Sequence, residues 1–393
     1  MRFSDRTAWY RQPNRLAEVL RRRRESGRPI YDLTVSNPTA CGIAYDGQEI
    51  LAALNSAASL RYEPDPKGLL GARESVAQYY QERGAAVSPD QIVLTSSTSE
   101  AYGMLFRLLC NSEEAVLVPK PSYPLFEHLA QLHDVRLCHY SLQYENGWHL
   151  HARSVRDAVG ANTRAIVLVH PHNPTGMFLK RHEMEEVHRI ASESELPIIV
   201  DEVFLDYALA DDPERLGTSV VVPGKLTFTL NGISKAAGLP QLKLAWIVVS
   251  GDGAAATEAL ERLEIISDTF LSVNTPVQVA LPRILNSAKR TRERILRRVQ
   301  QNRSVLGELL ASDTACSVLE SEGGWYSIVE VPRIRTDEEW AVQILEATGV
   351  YLYPGFLFDF EDDGLLVASL LPEEQTFKTA IEAFVEFVRS QLR

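Results

Sequence analysis

Four short apolar runs in this sequence are each followed by polar residues that could take part in chemistry. Asn173 follows AIVLVH, Asp201 follows PIIV, Lys235 follows KLTFTLN, and a row of hydroxyls at 96–99 follows QIVLT. If these runs are parallel strands, their carboxyl ends meet at one edge of a sheet, where ligands bind. Each residue also has a simpler interpretation: a loop-shaping Asn before Pro, a surface carboxylate or a helix N-cap.

Together these side chains fit the chemistry of pyridoxal phosphate. A lysine amine condenses with the cofactor aldehyde, and burial lowers its pKa so that it can act as a base. A carboxylate keeps the pyridine nitrogen protonated, and an amide donates to the ring oxygen. Hydroxyls and free N–H groups at a helix N-terminus bind phosphate. Because the chain has only eight lysines, a lysine at a strand end is a notable coincidence.

The elements that must position these residues form an α/β pattern between about residues 70 and 250. Helical patterns there alternate with seven apolar runs, at 91–97, 115–120, 135–142, 165–170, 197–203, 225–231 and 244–250. Such alternation predicts an open, mostly parallel seven-stranded sheet with helices on both faces.

The rest of the chain predicts a second, smaller unit. A long basic helical region runs to Leu310, followed by short strand patterns and a closing helix. We therefore predict a large domain at 46–284 and a small α+β domain formed by 1–45 and 285–393. The basic region could be a nucleic-acid stripe, but a bridging helix that is exposed on one side fits the acidic total better.

Composition and charge exclude several classes of protein. The chain has 393 residues, 45% hydrophobic and 23% charged, with a net charge of −12. An acidic surplus argues against nucleic acid as a partner, and no apolar run approaches the ~18 residues of a membrane span. The N-terminus lacks the apolar core of a signal peptide, which predicts a cytoplasmic protein. The four cysteines show no metal-ligand spacing, so we expect no metal site.

Ordered motifs along the chain resemble a known family. They are Tyr62 with PDPKG, then SSTSEA, PSYP, HNPTG, DEVF, SK and QLKLAW. In this order and spacing the sequence resembles the class I/II aminotransferases, which are pyridoxal phosphate enzymes of fold type I. The resemblance runs from SNPT near residue 36 to SLLPEE near 372. It implies the type I fold, pyridoxal 5′-phosphate as cofactor, a homodimer, and transfer of an amino group from an amino acid to a 2-oxo acid in two half-reactions.

The resemblance also implies roles for single residues. Lys235 is similar to the catalytic Schiff-base lysine, which also moves the substrate proton. Asp201 corresponds to the partner of the pyridine nitrogen, and Asn173 to the donor to the ring oxygen. Tyr123 matches the aromatic residue that stacks on the ring, with an ordinary core residue as the alternative. Tyr62 resembles the tyrosine that reaches the phosphate of the partner subunit.

The phosphate ligands implied by the resemblance are Ser97, Thr98, Ser234 and Lys243. Lys243 stands where the family usually has arginine, so a point charge replaces a bidentate fork. Ser36 replaces a frequent glycine, and its N–H could still face the substrate.

Two further positions depart from the family pattern. Phe204 replaces a tyrosine that donates to the ring oxygen, which should leave the imine nitrogen more basic. Tyr207 could compensate, or it could point into the core. Val367 replaces the arginine that binds the substrate carboxylate in a two-bond fork. Arg11 could supply that charge, or the substrate could be an amine without a carboxylate there.

Because a fold does not fix a reaction, the missing arginine leaves other activities open. The same scaffold could serve a lyase, decarboxylase, cyclase or oxidase, and a cofactor-binding regulatory module without turnover is a third class. Intact Lys235, Asp201 and Asn173 disfavour the regulatory module, and we expect an aminotransferase, with the other enzymes as the alternative.

Overall fold

A computed structural model describes residues 1–9, 12–222, 224–251, 253–271, 273–311 and 315–392. Within these residues the strands are β1 (Tyr31–Asp32), β2 (Ile92–Thr95), β3 (Ala115–Lys120), β4 (Arg136–Tyr144), β5 (Trp148–Leu150), β6 (Thr163–Val169), β7 (Ile198–Asp201), β8 (Thr227–Gly232), β9 (Ala245–Ser250), β10 (Ser317–Val318), β11 (Tyr326–Glu330), β12 (Val350–Tyr351), β13 (Tyr353–Pro354) and β14 (Leu365–Ser369).

The α-helices of the same residues alternate with the strands in the first part of the chain. They are α1 (Arg15–Glu25), α2 (Gly47–Leu54), α3 (Leu70–Gln81), α4 (Thr98–Leu109), α5 (Leu125–Leu132), α6 (Ala152–Ala158), α7 (Arg181–Glu193), α8 (Ile233–Ala236), α9 (Ala254–Phe270), α10 (Thr275–Ala311), α11 (Asp337–Thr348) and α12 (Glu374–Ser390). Short 3-10 turns lie at Asp5–Thr7, Pro38–Ala40, Ala57–Leu60, Pro89–Gln91, Ser219–Val221, Pro240–Leu242 and Gly355–Phe358.

The main sheet has the strand order β2-β9-β8-β7-β6-β3-β4-β5. Strands β8, β7, β6, β3 and β4 pair in parallel, whereas β9 pairs antiparallel with both β2 and β8. The α/β prediction is confirmed, but the sheet has eight strands rather than seven. The extra strand is β5, which forms because the chain turns back after β4 at Asn146 and Gly147, both with positive φ.

The central strands are apolar on both faces because helices cover both. The β7 residues are all buried, as are all but one of β6. Val167 and Ile199 pack in a cluster with residues of α4 and α9, and Ile166 and Val200 pack in another with residues of α7. Burial on both faces is what a parallel sheet inside an α/β fold requires.

A second core joins both ends of the chain. The antiparallel sheet β10-β11-β14-β13 and the β1–β12 pair surround it. Leu16 and Leu33 from the N-terminal part pack in one cluster with Trp340 and Phe377 from the C-terminal part. Helix α10 packs against this core and also against α2 and α3. The boundary predicted at 284 falls inside α10, and the division into two domains stays a prediction.

Several arginines of α10 are paired within the chain. Arg290 donates to Asp46 at 2.7 Å and to Glu49 at 2.8 Å, and Arg303 donates to Glu320 at 2.7 Å. These ion pairs support a bridging helix over a nucleic-acid stripe. Among the described residues no helix is long and apolar enough to cross a membrane.

Candidate active site

A cavity of about 630 Å³ opens where β6, β7 and β8 end, and its lining includes the three strand-end residues of interest. Asn173 follows β6, Asp201 is the last residue of β7, and Lys235 lies in α8 directly after β8. Because these strands are neighbours in the sheet, the chain brings the amide, the carboxylate and the amine together. The Asn173 Oδ1 atom, a hydrogen-bond acceptor, has no partner in the described part of the chain.

Asp201 is a buried carboxylate held by two donors. The Val203 N–H donates to Oδ1 at 3.1 Å, and the Tyr102 hydroxyl donates to Oδ2 at 3.1 Å. Burial raises the pKa of Asp201 to about 6, although both hydrogen bonds and the positive charge of Lys235 act in the opposite direction. A cationic ring nitrogen beside this carboxylate would restore the ionised form.

Glu202, the neighbouring carboxylate, serves the fold. It is fully buried and accepts from the Thr218 hydroxyl at 2.8 Å and from Ser219 N–H and Oγ at 2.6 and 2.8 Å. Burial raises the pKa of Glu202 to about 7. The alternative of two surface carboxylates at this strand end is therefore wrong.

Lys235 presents its amine to an apolar surrounding. Its Nζ lies 4.6 Å from the centroid of the Trp325 ring and 5.3 Å from that of Phe204. Burial lowers the pKa of Lys235 to about 8, and the negative charge of Asp201 partly offsets this. A neutral amine is therefore accessible near neutral pH, as a nucleophile and base requires.

Polar groups at the other end of the cavity could hold an anion. Ser97 is the N-cap of α4, where its Oγ accepts from the Glu100 N–H at 3.1 Å. Thr98, Ser234 and Lys243 line the cavity with it. The first N–H groups of a helix have no partner inside the helix, so this end offers N–H groups, hydroxyls and a lysine to a phosphate.

The two predicted aromatic ligands lie in different places. Tyr123 lines the cavity and is 42% exposed, so it is not the ordinary core residue of the alternative interpretation. Tyr62 is not among the described residues that line the cavity and is 73% exposed. Its proposed role requires a second subunit, so it stays a prediction.

Comparisons with known proteins agree with this geometry. A sequence profile of the family described as aminotransferase class I and II matches residues 43–384. The chain is 27% identical over 371 residues to glutamate-pyruvate aminotransferase AlaA of Haemophilus influenzae, with 93% of this chain and 92% of that protein covered. This chain belongs to the class I and II aminotransferases.

Solved structures give the same fold. An alanine aminotransferase from Pyrococcus furiosus superposes with a TM-score of 0.89 at 22% identity, covering 99% of this chain and 100% of that one. An aminotransferase from Escherichia coli gives a TM-score of 0.87 at 26% identity, covering 99% and 98%. The comparisons favour an aminotransferase over the lyase, decarboxylase, cyclase and oxidase alternatives.

The aminotransferase differs from the family pattern next to Lys235. Phe204 is buried, and its ring meets Trp325 edge-on at 5.2 Å between centroids. Tyr207 does not supply the missing hydroxyl to the cavity, because its hydroxyl donates to the backbone carbonyl of Lys235 at 2.6 Å. The prediction that Tyr207 could replace the missing tyrosine hydroxyl is therefore wrong. Tyr207 is fully buried, and its hydroxyl holds the backbone at Lys235.

Position 367, where the resemblance implies an arginine, is a buried valine. Val367 is fully buried on β14, and no arginine is among the described residues that line the cavity. Ser36 does line it. Arg11, the candidate for a replacement charge, lies outside the described residues.

The sequence did not point to three tyrosines: Tyr102, which contacts Asp201 from beneath the cavity lining, and Tyr326 and Tyr353, which line the cavity. Tyr102 on α4 reads as a core residue because it stands in an apolar helix, although its hydroxyl binds Asp201. Tyr326 and Tyr353 stand in short strands far along the chain. The one available signal was that each is a tyrosine, with a polar tip that needs a partner when buried.

Proposed function

We propose that this aminotransferase binds pyridoxal 5′-phosphate in the cavity and exchanges an amino group between an amino acid and a 2-oxo acid. The observation that supports the proposal is the meeting of Lys235, Asp201 and Asn173 in one cavity. The residues present fit the cofactor: an amine of lowered pKa, a carboxylate that a cation would stabilise, an amide at the cavity wall, and a hydroxyl-lined helix end.

Pyridoxal phosphate, when bound, supplies an aldehyde that condenses with amines and a ring that withdraws electrons from the amino carbon of the substrate. Asp201 would hold the proton of the ring nitrogen, with Tyr102 and Val203 orienting the carboxylate. Asn173 would donate to the ring oxygen. Lys235 would bind the aldehyde carbon and then, as a free amine, carry the proton removed from the substrate.

The remaining residues would hold the ends of the cofactor. Ser97, Thr98, Ser234 and Lys243 would bind the phosphate. Tyr123 would stack on the ring, which it can approach because it stands at the cavity wall. These residues would hold the cofactor next to Lys235.

We also propose a homodimer. Tyr62 lies near an exposed apolar surface that includes Leu60 and Leu271, which are 92% and 60% exposed. Tyr62 and Leu271 line the same groove. Apolar surface of this kind is usually covered by a partner, and a second copy would bring its own Tyr62. The cytoplasm stays the predicted location.

The first substrates to test come from a relative's name. Because the Haemophilus relative is a glutamate-pyruvate aminotransferase, the protein is loaded with pyridoxal phosphate and mixed with L-glutamate and then with pyruvate, followed by other amino and oxo acids. Formation of 2-oxoglutarate and alanine in separate half-reactions supports the proposal. Release of ammonia without an acceptor would contradict it, and Lys235→Ala serves as the inactive control.

A further inference from the structure

One wall of the cavity, formed by the small sheet and the segment before Pro38, carries hydroxyl groups. Tyr326 on β11, Tyr353 on β13 and Ser36 all line the cavity. Burial raises the pKa of the Tyr326 phenol, while a hydrogen bond with Ser36 acts in the opposite direction. Because the phenol stays protonated near neutral pH, it can donate a hydrogen bond into the cavity.

The register of the small sheet places Val367 among these tyrosines. Val367 lies opposite Ile328 on β11 and opposite Tyr353 on β13, and both pairs are antiparallel. Directly opposed residues share a face, and so do residues two apart such as Tyr326 and Ile328. Val367 therefore shares a sheet face with Tyr326 and Tyr353, which line the cavity. At this position, where the resemblance implies an arginine, the side chain is apolar and fully buried.

The two lysines that line the cavity have other roles in the proposed function. Among the described lining residues the lysines are Lys235 and Lys243, which the proposed function uses for the amine and the phosphate. A substrate carboxylate that faces the small sheet thus meets hydroxyl donors and no guanidinium from the described residues. Hydroxyl bonds to a carboxylate are charge-assisted and about twice as strong as neutral ones.

We propose that Tyr326 and Tyr353, together with Ser36, bind the α-carboxylate of the amino-acid substrate in place of the arginine that the resemblance implies at position 367. This inference rests on the proposed function, because it needs the substrate amine at Lys235. It makes the two tyrosines specificity-determining residues: they favour a carboxylate over an amide through hydrogen-bond strength rather than through a full opposite charge.

The test compares two unreactive ligands, 2-methylalanine and its amide. Both present an amine to the cofactor, and neither has the α-hydrogen that transamination removes, so dissociation constants follow from the cofactor's absorbance without turnover. Wild type, Tyr326→Phe, Tyr353→Phe and Arg11→Gln are titrated with each. Tyr351→Phe is the matched control, since Tyr351 lies beside Tyr353 but is not among the described lining residues.

Both cavity variants are expected to weaken 2-methylalanine about tenfold and its amide at most about threefold, with cofactor affinity unchanged. Tyr351→Phe and Arg11→Gln should bind both ligands as wild type does. A selective loss of 2-methylalanine binding in Arg11→Gln, with the tyrosine variants unchanged, would overturn the inference in favour of the N-terminal arginine. Failure of the proposed function differs: neither ligand would then change the spectrum of any variant, and both proposals would be overturned.

Discussion

The cavity has two walls of different character. The large-sheet wall consists of Asn173, Asp201 and Lys235 at the ends of adjacent strands, and these are residues to which the resemblance assigns cofactor contacts. The small-sheet wall carries Tyr326 and Tyr353, and it departs from the family at Val367. Under the proposed function, the first wall would bind the cofactor and carry the proton, whereas the second would face the substrate. The difference predicts that mutations in the first wall abolish chemistry and that mutations in the second change stability or ligand preference.

The largest effect is expected for Lys235→Ala. Without the amine at the end of β8, the half-reaction with an amino acid should slow by about 10⁴-fold, and the cofactor's visible absorbance band should disappear. Stopped-flow absorbance measures both. The matched control is Lys378→Ala, an exposed lysine on α12. A rate within tenfold of wild type would show that Lys235 is not the reactive amine. It would also contradict the prediction that mutations in the large-sheet wall abolish the reaction.

Asp201→Asn should stabilise the cofactor-free protein at neutral pH. The folded-state pKa of Asp201 is about 6 against an ordinary 3.8, so the folded protein binds more protons than the unfolded chain between about pH 4 and 6. The Asp201 contribution to unfolding free energy is therefore present below pH 4 and lost as the pH rises through 6. The asparagine variant should gain up to about 3 kcal/mol at pH 7.5 and nothing near pH 4.

Urea unfolding of the cofactor-free protein at several pH values measures this effect. Asp157→Asn, which changes an exposed carboxylate, is the control and should show no such gain. A difference in the free energy of unfolding that does not vary with pH would contradict the raised pKa of Asp201 in the folded protein. Lys235 does not affect the stability change in this pH range. Its pKa is lowered from 10.5 to about 8 in the folded protein, so its contribution to the free energy of unfolding is lost only as the pH falls from 10.5 toward 8.

Val367→Ala should affect folding rather than cofactor binding. The side chain is fully buried between Ile328 and Tyr353, so its truncation should lower the free energy of unfolding by about 2 kcal/mol. Val221→Ala makes the same change at a half-exposed position and should have little effect. Unchanged stability with weakened cofactor binding would contradict the view that position 367 is a packing position in this chain.

The smallest effect is expected for Phe204→Tyr. A hydroxyl added beside the ring oxygen should favour its anionic form and lower the pH midpoint of the cofactor's visible absorbance by about one unit. A spectrophotometric pH titration measures the shift. Phe358→Tyr adds a hydroxyl to the small-sheet wall and should leave the midpoint unchanged. An equal shift in both variants would mean that the two walls are electrostatically equivalent.

The large-sheet wall could be predicted because it follows local rules. Apolar runs that alternate with helical patterns indicate parallel strands. The residues that follow parallel strands lie together at the carboxyl edge of the sheet. The strand count was less secure, since β5 is a three-residue return after β4. Tyr102 was missed because its bond to Asp201 spans 99 positions in sequence and depends on how α4 packs over β7. A tyrosine on an apolar helix face gives no local sign of such a partner.

Gly176 in HNPTG shows the same contrast between what the local sequence predicts and what packing decides. The motif predicts a turn, and Gly176 has a φ of +72° as a turn glycine can. The sequence does not reveal that a Cβ at this position would clash with the carbonyl oxygen of Gly323. The turn that carries Asn173 thus packs directly on the segment before β11, which joins the two walls.

By itself the sequence determined the family, the α/β order, and the identity of the amine, carboxylate and amide, because these depend on residue type, local periodicity and motif spacing. Only the tertiary structure decided that Tyr102 binds Asp201, that the Tyr207 hydroxyl binds the Lys235 backbone rather than facing the cavity, and that Tyr326 and Tyr353 line the cavity on the two strands that flank Val367. Those outcomes depend on which side chains meet across distant elements. Such contacts are fixed by packing of the whole chain and leave no periodic signal in any one segment.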